Sequence, residues 1–226
     1  MGHEGFGRLR DPSQQIMEIA AAYDQWSHIY ETNENATRDL GAKILRQQYP
    51  TFAARDTLEI GCGTGLNTQH LVAVSRKVLA VDFSPGMLEK ARANISATNV
   101  NFAQLDLQTA WAIPGDSFDL VVCTLVLEHI VDLDHVFREA AQVLRSGGEF
   151  FFCELHPFRQ LQGQQARFTD EKGDVVLVTA YLHTVSEYVN TSIKQGFAIA
   201  QLNEWYDEGS DNKPPRLLSL RLGKKG

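Results

Sequence analysis

Between residues 57 and 154, short apolar stretches alternate with segments of helical periodicity. This alternation constrains the fold more than any other feature. Thr57–Ile60, Val78–Val81, Val100–Leu105, Phe118–Leu125 and Gly148–Glu154 read as strands, and Leu66–Ser75, Ser84–Ala97 and Asp132–Leu144 as helices. Such a rhythm builds parallel βαβ units with right-handed crossovers. The strands are nearly continuous apolar runs, as in a sheet covered on both faces. The expected class is α/β, with a doubly wound, mostly parallel sheet.

The flanks follow other patterns. Ile16, Ile19, Ala20, Tyr23 and Trp26 keep helical spacing behind an N-cap at Ser13, and a second helix is expected over about 35–49, stopped by Pro50. Beyond Glu154, Arg167–Asp170 and Val175–Tyr181 flank a Lys172-Gly173 turn and read as a hairpin. A helix over Ser186–Gln195 closes at Gly196, and two strands, Ala198–Tyr206 and Leu217–Leu222, end the chain. With 226 residues, one domain is expected, 1–226. The 43% hydrophobic and 22% charged residues suit a soluble globular chain rather than a disordered one. The net charge of −7 argues against a nucleic-acid partner. No apolar run approaches a membrane span, and the first residues lack the apolar core of a secretory leader. Cys62, Cys123 and Cys153 have no ligand-pair spacing and read as buried thiols of a cytoplasmic protein.

Chemistry concentrates where the first strand meets the first helix. Leu58-Glu-Ile-Gly-Cys-Gly-Thr-Gly65 places glycines at 61, 63 and 65, so the backbone can turn tightly and approach a ligand. The spacing GxGxG departs from the GxGxxG of dinucleotide loops. Glu59 just before it suits a ligand with a cationic end, or serves as a structural cap on the loop amides. Asp82 closes the second strand at the distance expected of a ribose-binding carboxylate, and Asp106 closes the third, where an acid can accept from an adenine amino group. Three acids after three strands describe a site for a cationic adenosine derivative.

LEIGCGTG at 58–65, VDFSPGMLEKAR at 81–92, FAQLD at 102–106, FDLVVCTLVLEHI at 118–130 and LRSGGEFFF at 144–152 together resemble the class I S-adenosylmethionine-dependent methyltransferases. The resemblance covers about residues 56–155. It implies a seven-stranded Rossmann-like sheet with an antiparallel last strand and added N-terminal helices, S-adenosylmethionine as cofactor and S-adenosylhomocysteine as product. Residues 1–50 would be a helical lid, 56–155 the cofactor-binding core, and 156–226 the substrate side. The implied cofactor residues are Glu59, Gly61, Gly63, Gly65, Asp82, Phe83, Met87, Asp106, Leu107, Thr124 and Leu125. Phe83 and Met87 read equally as core.

A transferred methyl needs an aligned nucleophile, and a base where that nucleophile carries a proton. In resembling enzymes the position of His129 often lies beside the methyl. It is the candidate general base, against a structural role at a helix start. His156 and His183 lie nearby, but their spacings do not suit a metal site, and none is expected. For the substrate, Arg159 and Arg167 could clamp an anion or pair with surface acids, with His156 between strand and clamp. Tyr23 and Tyr30 could close over the cofactor or simply pack. The expected activity is methylation of a small metabolite, an acidic one if the arginines act as a clamp, by a monomer or homodimer. A tRNA or protein methyltransferase, or a cofactor-binding protein without catalysis, is the alternative.

Overall fold

Burial of five apolar strands dictates the centre of the molecule. The structure is a computed structural model that describes residues 15–17, 19–27, 30, 34–170, 173–209 and 213–226, with only the backbone of 15–17 and 20. β1 (Gln15–Met17), α1 (Ile19–Trp26), α2 (Ala36–Gln47) and α3 (Tyr49–Phe52) precede the alternating region. That region runs β2 (Asp56–Ile60), α4 (Thr68–Val74), β3 (Lys77–Asp82), α5 (Pro85–Asn94), β4 (Val100–Gln104), β5 (Phe118–Thr124), a 3-10 turn (Leu127–His129), α6 (Leu133–Val143) and β6 (Leu144–Leu155). The chain continues through α7 (Pro157–Leu161), β7 (Arg167–Thr169), β8 (Val175–Val178), α8 (Val185–Lys194), β9 (Phe197–Trp205) and β10 (Leu217–Lys224).

Seven strands form one sheet in the order β4-β3-β2-β5-β6-β10-β9. β2 through β6 pair in parallel, and β10 alone runs against its neighbours. This is the Rossmann-like arrangement expected. Strand order reverses between β2 and β5, so the crevice for a ligand opens at their carboxyl ends. The two-residue period of a strand divides the core between two layers. Val121, Phe150 and Phe152 pack with Leu133, Val136 and Phe137 of α6. Val122 and Phe151 face the other way, onto Ile44 and Leu45 of α2 and Phe52 of α3. No helix among the described residues is long and apolar enough to cross a membrane.

Three local expectations change, while the hairpin holds. Gln15–Met17 is a strand, parallel to β8, and the helix starts at Ile19 instead; Ser13 lies outside the described residues. The predicted hairpin forms as β7 and β8, and without β1 the Val175–Val178 strand would be an open edge. Of its expected turn, Gly173 takes φ +88°, while Lys172 is outside the described residues. Pro50 sits in the first turn of α3, where its missing N–H costs nothing, and α2 has already ended at Gln47. The sixth helix ends at Val143 because Leu144 already pairs with Phe118 as strand.

The glycine loop depends on the absence of side chains. Gly61 has φ +70°, and a Cβ there would stand 2.2 Å from Val126 Cγ2. A Cβ on Gly65 would stand 2.7 Å from Ile95 Cδ1. Gly63 meets nothing within 4 Å, so its open side is where a ligand can approach. Gly61→Ala is therefore expected to cost roughly 1–3 kcal/mol through backbone strain alone, and more through the clash. A denaturant titration matching that of the parent chain would contradict this packing.

Candidate active site

The loop after β2 is held from below and from the side. Gly61 N and Cys62 N donate to Val81 O at 2.8 and 3.0 Å, which presses the turn onto the end of β3. Asp82 then bridges two backbones: Oδ2 accepts from Gly63 N and Oδ1 from Ser84 N, both at 2.9 Å. Burial raises the Asp82 pKa, and these amides oppose the rise. Glu59 lies fully inside and accepts from Thr68 Oγ1 at 2.6 Å. Desolvation lifts its pKa to about 8, so it is mostly protonated at neutral pH.

A second stretch of backbone turns sharply after β5. Leu125 takes φ +59°, a left-handed conformation rare outside glycine. The following turn is fastened by Glu154 of β6, whose Oε1 accepts from Val126 N at 3.1 Å. Glu154 is fully buried, its Oε2 has no partner among the described residues, and desolvation raises its pKa to about 8. The turn presents His129. Its Nδ1 lies 2.7 Å from the carbonyl of Thr179, which can only accept, so Nδ1 carries the proton. In the neutral ring Nε2 therefore accepts from the Tyr23 hydroxyl at 2.8 Å. Burial raises the Tyr23 pKa well above its ordinary value, which keeps the phenol a donor.

Tyr23 comes from α1, which is moored to the start of α5. Ser84 caps α5 by accepting from Met87 N at 3.1 Å, while its hydroxyl donates to Asp24, which also accepts from Gly86 N at 3.3 Å. A carboxylate at that helix start is also favoured by the helix dipole.

Three cavities meet here. One of about 290 Å³ is lined by Gly61, Gly63, Asp82, Phe83, Asp106, Leu107, Thr124, Leu125, His129, Tyr23 and Tyr30. Among the described residues, no lysine or arginine lines it. A second, also about 290 Å³, follows the glycine loop and includes Arg38 and Arg46 of α2. A third, about 230 Å³, lies on the other side of Tyr23, Tyr30 and Leu125 and reaches Trp26, Glu128 and Arg167.

Some expected residues stand elsewhere. Glu59, Gly65 and Met87 lie behind the lining, where they support the loop and the start of α5. Arg159 does not form an anion clamp. It is buried and donates to Asp207 and to the carbonyls of Pro214 and Pro215, because a buried guanidinium must be paired. His156 is buried too, caps α7 through Phe158 N and pairs with Glu204, so it reaches none of the three cavities. His183 bonds Ile130 O and Glu187, so the three histidines have separate partners. No cluster able to hold a metal occurs among the described residues. Sequence reasoning missed Asp24, Arg38, Arg46 and Glu128. Spacing alone offered a signal for the arginines, eight residues apart on one helix face.

The residues fit the implied cofactor. A cavity lined by acids and, among the described residues, by no lysine or arginine suits a sulfonium and an adenosine with free hydroxyls, and the arginines beside the loop suit a carboxylate. Thr64 Oγ1 and Thr124 Oγ1, both in these walls, are buried with no partner among the described residues. Comparison with known proteins points the same way. Residues 58–152 match a family model described as a methyltransferase domain. An uncharacterized methyltransferase of Emericella nidulans is 27% identical over 84% of this chain and 79% of its own length. The malonyl-[acyl-carrier protein] O-methyltransferase of Yersinia pestis is 29% identical over 67% of this chain, which spans only 55% of that protein. A solved Listeria monocytogenes structure assigned to the S-adenosylmethionine-dependent methyltransferases superposes with a TM-score of 0.71 at 25% identity, covering 83% of this chain and 100% of its own.

The two buried glutamates give the fold a pH dependence. A folded-state pKa raised to about 8 from 4.5 means the folded chain holds the proton more tightly. Their stabilisation is complete below about pH 4.5 and is lost as pH rises toward 8. Glu154→Gln, which keeps the acceptor for Val126 N, should flatten the fall of Tm between pH 6 and pH 9. An unaltered slope in thermal melts would refute a protonated Glu154.

Proposed function

We propose that the chain is a class I S-adenosylmethionine-dependent methyltransferase that methylates a small molecule held between Tyr23 and Glu128. The observation that carries this reading is the lining the cavities have in common: Tyr23, Tyr30 and Leu125 line both an acid-lined chamber and a second chamber with its own polar groups. A cavity of about 230 Å³ supports a small substrate, and the net charge of −7 speaks against nucleic acid.

In this reading Asp82 holds the ribose, Asp106 and Leu107 meet the adenine, Phe83 packs beside it, and Thr124 meets the amino acid end. Arg38 and Arg46 hold the cofactor carboxylate. When bound, the cofactor supplies an electrophilic methyl that needs alignment and dryness more than activation. His129 takes the proton of the acceptor, and the Thr179 carbonyl holds its ring in the accepting tautomer and stabilises the cation formed. Tyr23 closes the chamber from α1 and orders His129 Nε2. Three free, buried cysteines support a reducing, cytoplasmic setting.

Asp82→Ala should weaken S-adenosylhomocysteine binding by roughly 1.5–3 kcal/mol for each charged hydrogen bond lost. Calorimetry giving an unchanged Kd would remove Asp82 from the ribose. His129→Ala should slow methyl transfer by roughly 10²–10⁴-fold with cofactor affinity retained. A near-parent kcat would return His129 to a structural role.

A further inference from the structure

We propose that Asp24 is a positioning residue for methyl transfer: bound to the start of α5, it latches α1 over the cofactor cavity and so holds Tyr23 against His129. The inference rests on the methyltransferase reading and adds to it the residue that closes the site.

α1 presents three faces to three neighbours, as the helical period allows. Ala22 and Trp26 pack on Phe168, Val176 and Val178, in a small core separate from the two that cover the main sheet. Ile19 and Tyr23 line the cavity that also holds Asp82 and Asp106. Asp24 and, just past the helix end, Ser27 face α5. The buried apolar packing thus ties α1 to β7 and β8. Toward the main sheet and its helices, among the described residues, α1 makes the hydrogen bonds of Tyr23 to His129 and of Asp24 to Ser84 and Gly86. An edge contact of Tyr23 with Phe83 accompanies them.

Gly86 is the counterpart of this approach. It lies in the first turn of α5, and nothing in its own backbone conformation calls for glycine. A Cβ there would stand 3.1 Å from Ser27 Oγ and 3.3 Å from Asp24 Oδ1. What the glycine provides is room for α1 to lie against α5.

Both donors meet one oxygen. Ser84 Oγ and Gly86 N give their hydrogens to Oδ1 of Asp24, a residue exposed to solvent. Hydrogen bonds at an exposed site exchange with water at little net cost, so such a latch opens without disturbing a core. The connection also runs inward. Ser84 N donates to Oδ1 of Asp82, the carboxylate assigned to the ribose, so α1 is fastened to the turn that the cofactor itself grips. Tyr23 precedes Asp24, and what fixes one fixes the other.

Pulse-chase exchange of radiolabelled S-adenosylhomocysteine on the full chain tests this. Asp24→Ala should speed dissociation at least about tenfold, whereas Asp24→Asn, which keeps an oxygen for both donors, should stay near the parent rate. In nitrogen-15 spectra the His129 Nε2 resonance should shift in Asp24→Ala and return in Asp24→Asn. A Cβ on Gly86 would stand 3.7 Å from Asp24 Cα, within disulfide reach, so the double variant Asp24→Cys/Gly86→Cys can be locked and released. Oxidised, it should exchange the ligand more slowly than the parent; reduced, as fast as Asp24→Ala. A parent-like rate in Asp24→Ala, an Asp24→Asn as fast as Asp24→Ala, or exchange indifferent to oxidation would overturn the proposal. A change confined to Tm would overturn it too, and make Asp24 a cap of α5 alone. Should Asp24→Ala not fold, the oxidised and reduced forms of the double variant still decide. Failure of the parent chain to bind S-adenosylhomocysteine is a separate result, and it would overturn the reading on which the proposal rests.

Discussion

The bridge made by the Asp82 carboxylate is the constraint from which the rest of the site follows. One oxygen holds the amide of Gly63 and the other the amide of Ser84, so the glycine loop and the start of α5 are set by a single side chain. Ser84 passes the constraint on through its hydroxyl to Asp24, and Asp24 fixes α1. One residue before it, Tyr23 meets His129. Hydrogen bonds, joined by the backbone between Asp24 and Tyr23, thus run from the proposed cofactor loop to the proposed base. Each link is short in space, yet the last of them joins Tyr23 to His129 across 106 residues of sequence.

The main sheet was legible because its signals are redundant. Apolar strands, glycine spacing and acids at strand ends all agree, as they do in a sequence whose local and global preferences match. Asp82 and Asp106 were legible at strand ends, while Phe83 and Thr124, in the same cavity wall, were implied only by the family resemblance. Arg159 misled because its type reads as anion-binding, while its partner, Asp207, lies 48 residues away in a loop that no local pattern ties to it. The strand at Gln15–Met17 escaped because three residues carry no readable period, and what makes them strand is the unpaired edge of β8. Glu128 was hidden in plain view. In sequence it is an acid beside a histidine, and only the closing of α1 and the Ala166 segment over it turns it into a buried carboxyl.

Buried carboxyls recur at the heart of this molecule. Glu59 and Glu154 each brace a sharp turn, one below the glycine loop and one below the turn that carries His129. Both are held largely protonated by desolvation near neutral pH, so they act as hydrogen-bonding struts rather than as charges. Burial pushes Asp82 and Glu128, in the cavity walls, in the same direction, which limits mutual repulsion in a site rich in carboxyls.

The bond from His129 Nδ1 to the Thr179 carbonyl has a consequence for how such a site can change over generations. A main-chain oxygen is present whatever residue occupies position 179, so mutation there leaves the imidazole's proton where it is. The opposite ring nitrogen faces a tyrosine that a single codon change can remove. Half of the dyad is thus inherited with the backbone while the other half stays open to selection, and new acceptor chemistries would be explored from the Tyr23 side.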